Sequence, residues 1–166
     1  MTEVAVNVSP QQVMGPSFTH TVASALAETG IDPHPLCLEV TESLFLHGTE
    51  RACAVMASVN DMGVQLSLED FGTGYSSLSY VQNCPVDVVK IDRSFTAELA
   101  QDRSTRSIVP AVIDLSHALD MVVIAEGVET LNDLHQVAAL GADYAQCFHV
   151  SQPIDNHRIH HYADTA

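Results

Sequence analysis

Short apolar runs rich in β-branched residues alternate along the chain with stretches of helical period, and several of these units close on glycine. Strands are predicted over residues 4–8, 36–40, 64–68, 86–91 and 121–125, with a short one near 144–146. A helix over 17–29 places Phe18, Val22, Ala25 and Leu26 on one face and stops at Gly30. Thr49 is expected to cap a helix bearing Ala52, Val55, Met56 and Val59, which ends at Gly63. A short helix is expected near 76–82, and a longer one over 104–119 aligns Ile108, Val112, Leu115 and Leu119. Thr130 and Asp133 have the spacing of a capping box for a helix through Leu140, ended by Gly141.

Strands that alternate with helices pair in parallel, because each helix returns the chain to the same end of the sheet. The carboxyl ends of all six therefore lie together. The repeating unit matches that of an eightfold βα barrel, which needs about 250 residues. At 166 residues, the chain is roughly two units short of that length. The fold class expected is α/β, an incomplete (β/α)8 barrel of about six units.

Composition makes this a globular chain, with 46% apolar and 16% charged residues. Twenty-one acids against six Lys and Arg give a formal charge of −15, which disfavours a sequence-independent grip on DNA or RNA. A small anionic ligand fits such a chain only where metal ions reverse the local field. The N-terminus has no basic, apolar leader and no run is long enough to span a bilayer, so no membrane segment and a cytoplasmic location are expected. Cys37, Cys53, Cys84 and Cys147 are scattered and read as buried thiols. His157, His160 and His161 read as part of a solvated tail over 156–166 rather than a metal site.

The residues at the six carboxyl ends are Asn7, then Glu39 and Glu42, Glu69 and Asp70, Lys90 and Asp92, Glu126 and Glu129, and Gln146. In α/β barrels this rim is where ligands bind and chemistry occurs. Taken singly, Asn7 fits a turn, Glu42 or Glu129 a helix cap, and Lys90 a surface ion pair. Carboxylates converging from several strands repel one another unless they are protonated or bound to cations. All-oxygen donors suit Mg²⁺, Mn²⁺ or Ca²⁺, and two such ions bridged by a carboxylate form a device for phosphodiester cleavage.

Five segments carry a family resemblance: Asn7-Val8-Ser9-Pro10, Glu39-Val40-Thr41-Glu42-Ser43, Glu69 through Leu78, Lys90-Ile91-Asp92-Arg93-Ser94-Phe95, and Ala125-Glu126-Gly127-Val128-Glu129-Thr130. In order and spacing they resemble the EAL family, bacterial phosphodiesterases that hydrolyse cyclic di-GMP to linear pGpG on a modified barrel with two Mg²⁺ or Mn²⁺ ions. The resemblance implies that Asn7 and Glu39 help bind one metal and that Asp70 and Glu126 help bind the other. Glu69 stands where the family has the aspartate that bridges both. It further implies that Lys90 contacts the hydrolytic water, that Gln146 lies near water and phosphate, and that Glu42 and Glu129 support the loop from Asp70 to Tyr80, which couples the site to dimerisation. Residues 1–155 would form the partial EAL domain. Its expected partners are cyclic di-GMP and either a second copy or an upstream segment that completes the barrel.

Three departures separate the chain from that pattern. It contains no Glu-Ala-Leu triplet, and Met1 lies so close to Asn7 that the strand supplying this metal ligand is expected to be missing rather than mutated. Glu69 is one methylene longer than the aspartate expected at a site needing its ions about 3.5–4 Å apart. Cys147 and Gln152 stand where the family usually has glycine and a basic or small residue. The alternative reading is therefore a degenerate EAL module that binds the nucleotide or a protein without hydrolysis. Because the first departure outweighs the second, Glu69→Asp alone is expected not to restore turnover. An assay for linear product with the isolated variant checks this.

Overall fold

Consecutive strands of the sheet meet as parallel neighbours. The computed structural model describes residues 4–72, 82–99, 102 and 104–147. Their strands are β1 (Val4–Asn7), β2 (Leu36–Thr41), β3 (Gln65–Phe71), β4 (Val88–Ile91), β5 (Val122–Val128) and β6 (Tyr144–Cys147), joined in that order in one sheet. All five pairings are parallel. The helices are α1 (Pro10–Val13), α2 (Phe18–Thr29), α3 (Thr49–Asn60), α4 (Arg93–Glu98), α5 (Thr105–Ala118) and α6 (Leu131–Ala139), with a 3₁₀ helix at Glu42–His47. The sheet is a curled, incomplete barrel, in which β1 and β6 each have one neighbour among the described residues.

Alternation along the strands sorts the residues into two faces. Leu38, Val40, Leu66, Leu68 and Val89 pack against Val13, Leu44, Met56 and Val59. Ile91, Val123, Ala125 and Val128 pack against Val109, Ile113 and Val137. Each such buried side chain contributes on the order of 1.5–3 kcal/mol, whereas a buried ion cluster adds little net stability. The helix-facing side therefore holds the fold together, and the inner face is free to carry polar groups.

The capping box at Thr130 and Asp133 forms as its spacing predicts. Gly30 closes α2 with φ 65°, also as expected. Thr49, however, is the first residue of α3 and not its cap: its hydroxyl donates to the Phe45 carbonyl, and Gly48, at φ 140°, holds the cap position. On α5 the buried face runs through Thr105, Val109, Ile113 and Ser116, while Ile108 is 44% exposed. The stripe is displaced because Ser116 enters the interior with its hydroxyl bonded to the Val112 carbonyl, a polar residue that an apolar template skips. Three short helices were not anticipated: α1, α4 and the 3₁₀ helix. Each is shorter than the period-based reading can detect. The helix expected near 76–82 and the tail over 156–166 lie outside the described residues.

The cysteines correct a second expectation. Cys37 is a buried free thiol, but Cys53 on α3 and Cys84 are joined as a disulfide with Cα atoms 4.8 Å apart. Spacing along the sequence did not reveal that α3 passes beside the entry to β4. No helix among the described residues is long and apolar enough to cross a membrane.

At the amino ends of two strands the same clamp recurs. Asp87 accepts from the Leu66 backbone N–H at 2.8 Å and from Asn60 Nδ2 at 3.1 Å. Asp143 accepts from the Val123 N–H at 2.8 Å and lies 2.9 Å from His117 Nε2. The Val123 bond foremost, then His117, holds the Asp143 carboxyl below its ordinary value of 3.8. A depressed folded pKa stabilises above the unfolded value and is lost as pH falls through the folded one. Asp143→Ala is therefore expected to cost about 1 kcal/mol at pH 7. Its deficit against the parent should narrow below the ordinary value of 3.8, as chemical denaturation across pH would record.

Candidate active site

The rim is shaped by two irregularities in strand pairing. Between β3 and β4 the register passes from Leu68 with Val89 to Phe71 with Ile91, so Glu69 and Asp70 together oppose Lys90. Asp70 absorbs the extra residue at φ 57°. Between β5 and β6 it passes from Ala125 with Ala145 to Val128 with Cys147, so Glu126 and Gly127 oppose Gln146. Here Gly127 takes φ 65°. Each bulge leaves a glutamate on the inner face and returns the next apolar residue, Phe71 or Val128, to the helix-side core.

Lys90 stands at the centre. Its Nζ lies 2.8 Å from Glu39 Oε1, 3.1 Å from Glu69 Oε1 and 2.6 Å from Glu126 Oε1. The three bonds use all the hydrogens an ammonium can donate. Lys90 and Glu39 are nearly buried, their side chains 5% and 8% exposed. Burial works to lower the Lys90 pKa, but its bonds to Glu126 and Glu39 outweigh that and raise it, fixing the charged form. Glu69 is raised, chiefly by burial and further by repulsion from Glu39 and Glu126, with Lys90 opposing both.

The remaining rim residues are less enclosed. Asn7 pairs in register with Glu39 and is exposed at the end of β1. Asp70 and Gln146 are exposed. Glu42 is buried, and its Oε1 accepts from the Gly72 N–H at 3.5 Å, joining the 3₁₀ helix to the start of the loop after β3. Glu129 is exposed just before the cap of α6. Asp92 leaves the rim: it caps α4 by accepting from the Ser94 N–H at 2.9 Å. The site thus gathers Glu39, Glu69, Glu126 and Lys90 into direct contact, with Asn7, Asp70 and Gln146 on the same edge. Loop residues beyond Gly72, and Gln152, lie outside the described residues.

A family model described as the EAL domain matches residues 1–153. The chain belongs to the EAL family. This EAL chain is 37% identical over 151 residues to MucR of Pseudomonas aeruginosa, named a bifunctional diguanylate cyclase/cyclic di-GMP phosphodiesterase; the match covers 91% of this chain and 22% of MucR. An uncharacterised protein of Azorhizobium caulinodans is 41% identical over 145 residues, 87% of this chain and 20% of that protein. The chain thus spans about a fifth of the length of these curated relatives. Among solved structures it is similar to the PaMucR phosphodiesterase in complex with c-di-GMP, with TM-score 0.90 and 36% identity, covering 95% of this chain and 64% of that one. The EAL domain of Mycobacterium smegmatis DcpA aligns with TM-score 0.91 and 37% identity, over 98% of this chain and 73% of that one.

The donor set of the EAL rim suits hard divalent ions: carboxylate oxygens from three strands already surround one positive charge. In this arrangement each glutamate is turned toward the ammonium, and among the described residues no three acidic, His or Cys side chains are grouped to hold a metal.

The cluster also depends on Gly127. A Cβ there would fall on the Arg93 Cβ and lie 3.0 Å from the Arg93 Cα, in addition to the cost of φ 65°. Gly127→Ala is expected to destabilise the fold by at least about 2 kcal/mol, measured by urea denaturation. Gly141→Ala, at φ 98° but with its nearest neighbour 3.6 Å away, should cost less.

Proposed function

We propose that this chain forms the catalytic rim of a cyclic di-GMP phosphodiesterase domain whose barrel is completed by further strands. The observation that carries the proposal is the convergence of Glu39, Glu69 and Glu126 on Lys90, at the carboxyl ends of parallel strands, in a chain of the EAL family.

Asn7 and Glu39 would hold one divalent ion, Asp70 and Glu126 a second, and Glu69 would bridge them. When bound, Mg²⁺ or Mn²⁺ supplies positive charge for the phosphodiester anion and makes water acidic enough to attack phosphorus. Lys90, once released from part of its carboxylate cage, would hold and orient that water through a freed ammonium hydrogen, and Gln146 would bond water or a phosphate oxygen. Attack in line forms a bond from the water oxygen to phosphorus and breaks the bond to a ribose oxygen. That oxygen takes up a proton and leaves linear pGpG. Glu42, which accepts from the Gly72 N–H, would support the loop after β3, and Glu129, which follows β5, is assigned the same role. The cytoplasm is the compartment this reading assumes, since a dianionic dinucleotide does not cross a bilayer unaided.

The open sheet supports the need for completing strands. Val4 and Val6 on β1 are 55% and 42% exposed, and Tyr144 on β6 is 65% exposed. Edges left unpaired among the described residues invite another strand, and an upstream segment or a second copy would serve. A second reading, nucleotide or protein binding without hydrolysis, is favoured by one feature: the three glutamates face an ammonium rather than a shared metal position.

The chain alone, and joined to the remaining barrel strands of the MucR EAL domain, should be incubated with cyclic di-GMP and Mn²⁺ or Mg²⁺. Linear product is expected from the joined form, and Glu126→Gln in it should reduce the rate at least about 100-fold. No product from either form overturns the enzymatic reading. Calorimetric binding of cyclic di-GMP in that case would establish the binding-module alternative.

A further inference from the structure

Lys90 is the only lysine in the sequence. It is 4% exposed, and its three carboxylate partners come from β2, β3 and β5. Removing those carboxylates from water without a counter-charge would be prohibitive, and the ammonium supplies that charge from within the chain. One oxygen of each glutamate is committed to it at 2.6–3.1 Å. That commitment leaves one oxygen of each glutamate for any other cation and turns the three carboxylates toward the ammonium; among the described residues no three acidic, His or Cys side chains are grouped to hold a metal.

We propose that Lys90 is a resident counter-ion that holds the metal-free rim together and competes with divalent cations for Glu39, Glu69 and Glu126. The inference rests on the metal-binding reading above. A divalent ion brings more charge to the glutamates than an ammonium, but it draws them away from charge-assisted bonds they already make. Entry of the ion therefore detaches Lys90 from at least part of its cage and frees its amine. Metal affinity is set by the difference between the two cations, not by the carboxylates alone.

Two measurements test this. The first is calorimetric titration of Mn²⁺ into the parent chain and into Lys90→Met, each checked for native circular dichroism. Lys90→Met should bind Mn²⁺ at least about tenfold more tightly and, without metal, should melt at a lower temperature than the parent. Equal or weaker Mn²⁺ binding by folded Lys90→Met overturns the competition. Absence of binding by both folded proteins overturns the metal reading and the competition with it. The second measurement uses the parent chain alone and stands even where the variant fails to fold. Because Lys90 carries the sole side-chain amine, its modification by an acylating reagent, read by peptide mass, should rise on addition of Mn²⁺. No rise under conditions where calorimetry records Mn²⁺ binding overturns the displacement while leaving the metal reading in place.

Discussion

A cluster of three carboxylates around one buried ammonium constrains the whole inner face of this protein. Glu39, Glu69 and Glu126 reach Lys90 only if β2, β3, β4 and β5 hold their parallel order, and only if both bulges place their glutamates inward. Such a cluster does not stabilise a fold by itself, since the desolvation of four charges offsets most of their attraction. It is tolerated because Leu66, Leu68, Val89 and Val123, all 2% exposed or less, pack the opposite face against helices. Core and site are thus divided by the pleat: alternate residues of the same strands do the two jobs.

Much of this was legible in the sequence. Parallel pairing and most of the rim residues followed from the alternation of apolar runs with helical periods and from the acids ending those runs; Asp92 was the exception, since it caps α4 instead. Part of what the sequence hid has one cause. Alternation breaks at Glu69 and again at Glu126, so both strands were expected to stop one residue earlier, at Leu68 and Ala125. They continue to Phe71 and Val128. Each break is a bulge, which period-2 reading registers as the end of a strand.

Lys90 illustrates a different limit. A lysine at a strand end has an ordinary surface explanation, and nothing local distinguishes one that pairs with acids from three other strands. Its role arises from residues far apart in the chain, Glu39 lying 51 positions before it. The Cys53–Cys84 disulfide was missed for the same reason, since it joins residues 31 positions apart. Contacts of this range depend on the closure of the sheet, not on the composition of any one segment.

The two clamps and the two bulges together have a consequence for how this half-barrel is built. Asn60, Leu66, Leu68, Glu69, Asp70 and Phe71 are followed at one constant offset by His117, Val123, Ala125, Glu126, Gly127 and Val128, and Asp87 and Lys90 by Asp143 and Gln146 at an offset one residue shorter. The β3–β4 pair and the β5–β6 pair are thus two copies of one quarter-barrel, with the same anchor at the base and the same kink at the rim. In that internal symmetry Gln146 occupies the seat that Lys90 has in the other copy. The two quarters differ in charge at that seat and again at the bulge, where Asp70 answers to Gly127, so an internally repeated backbone carries two chemically unlike rims.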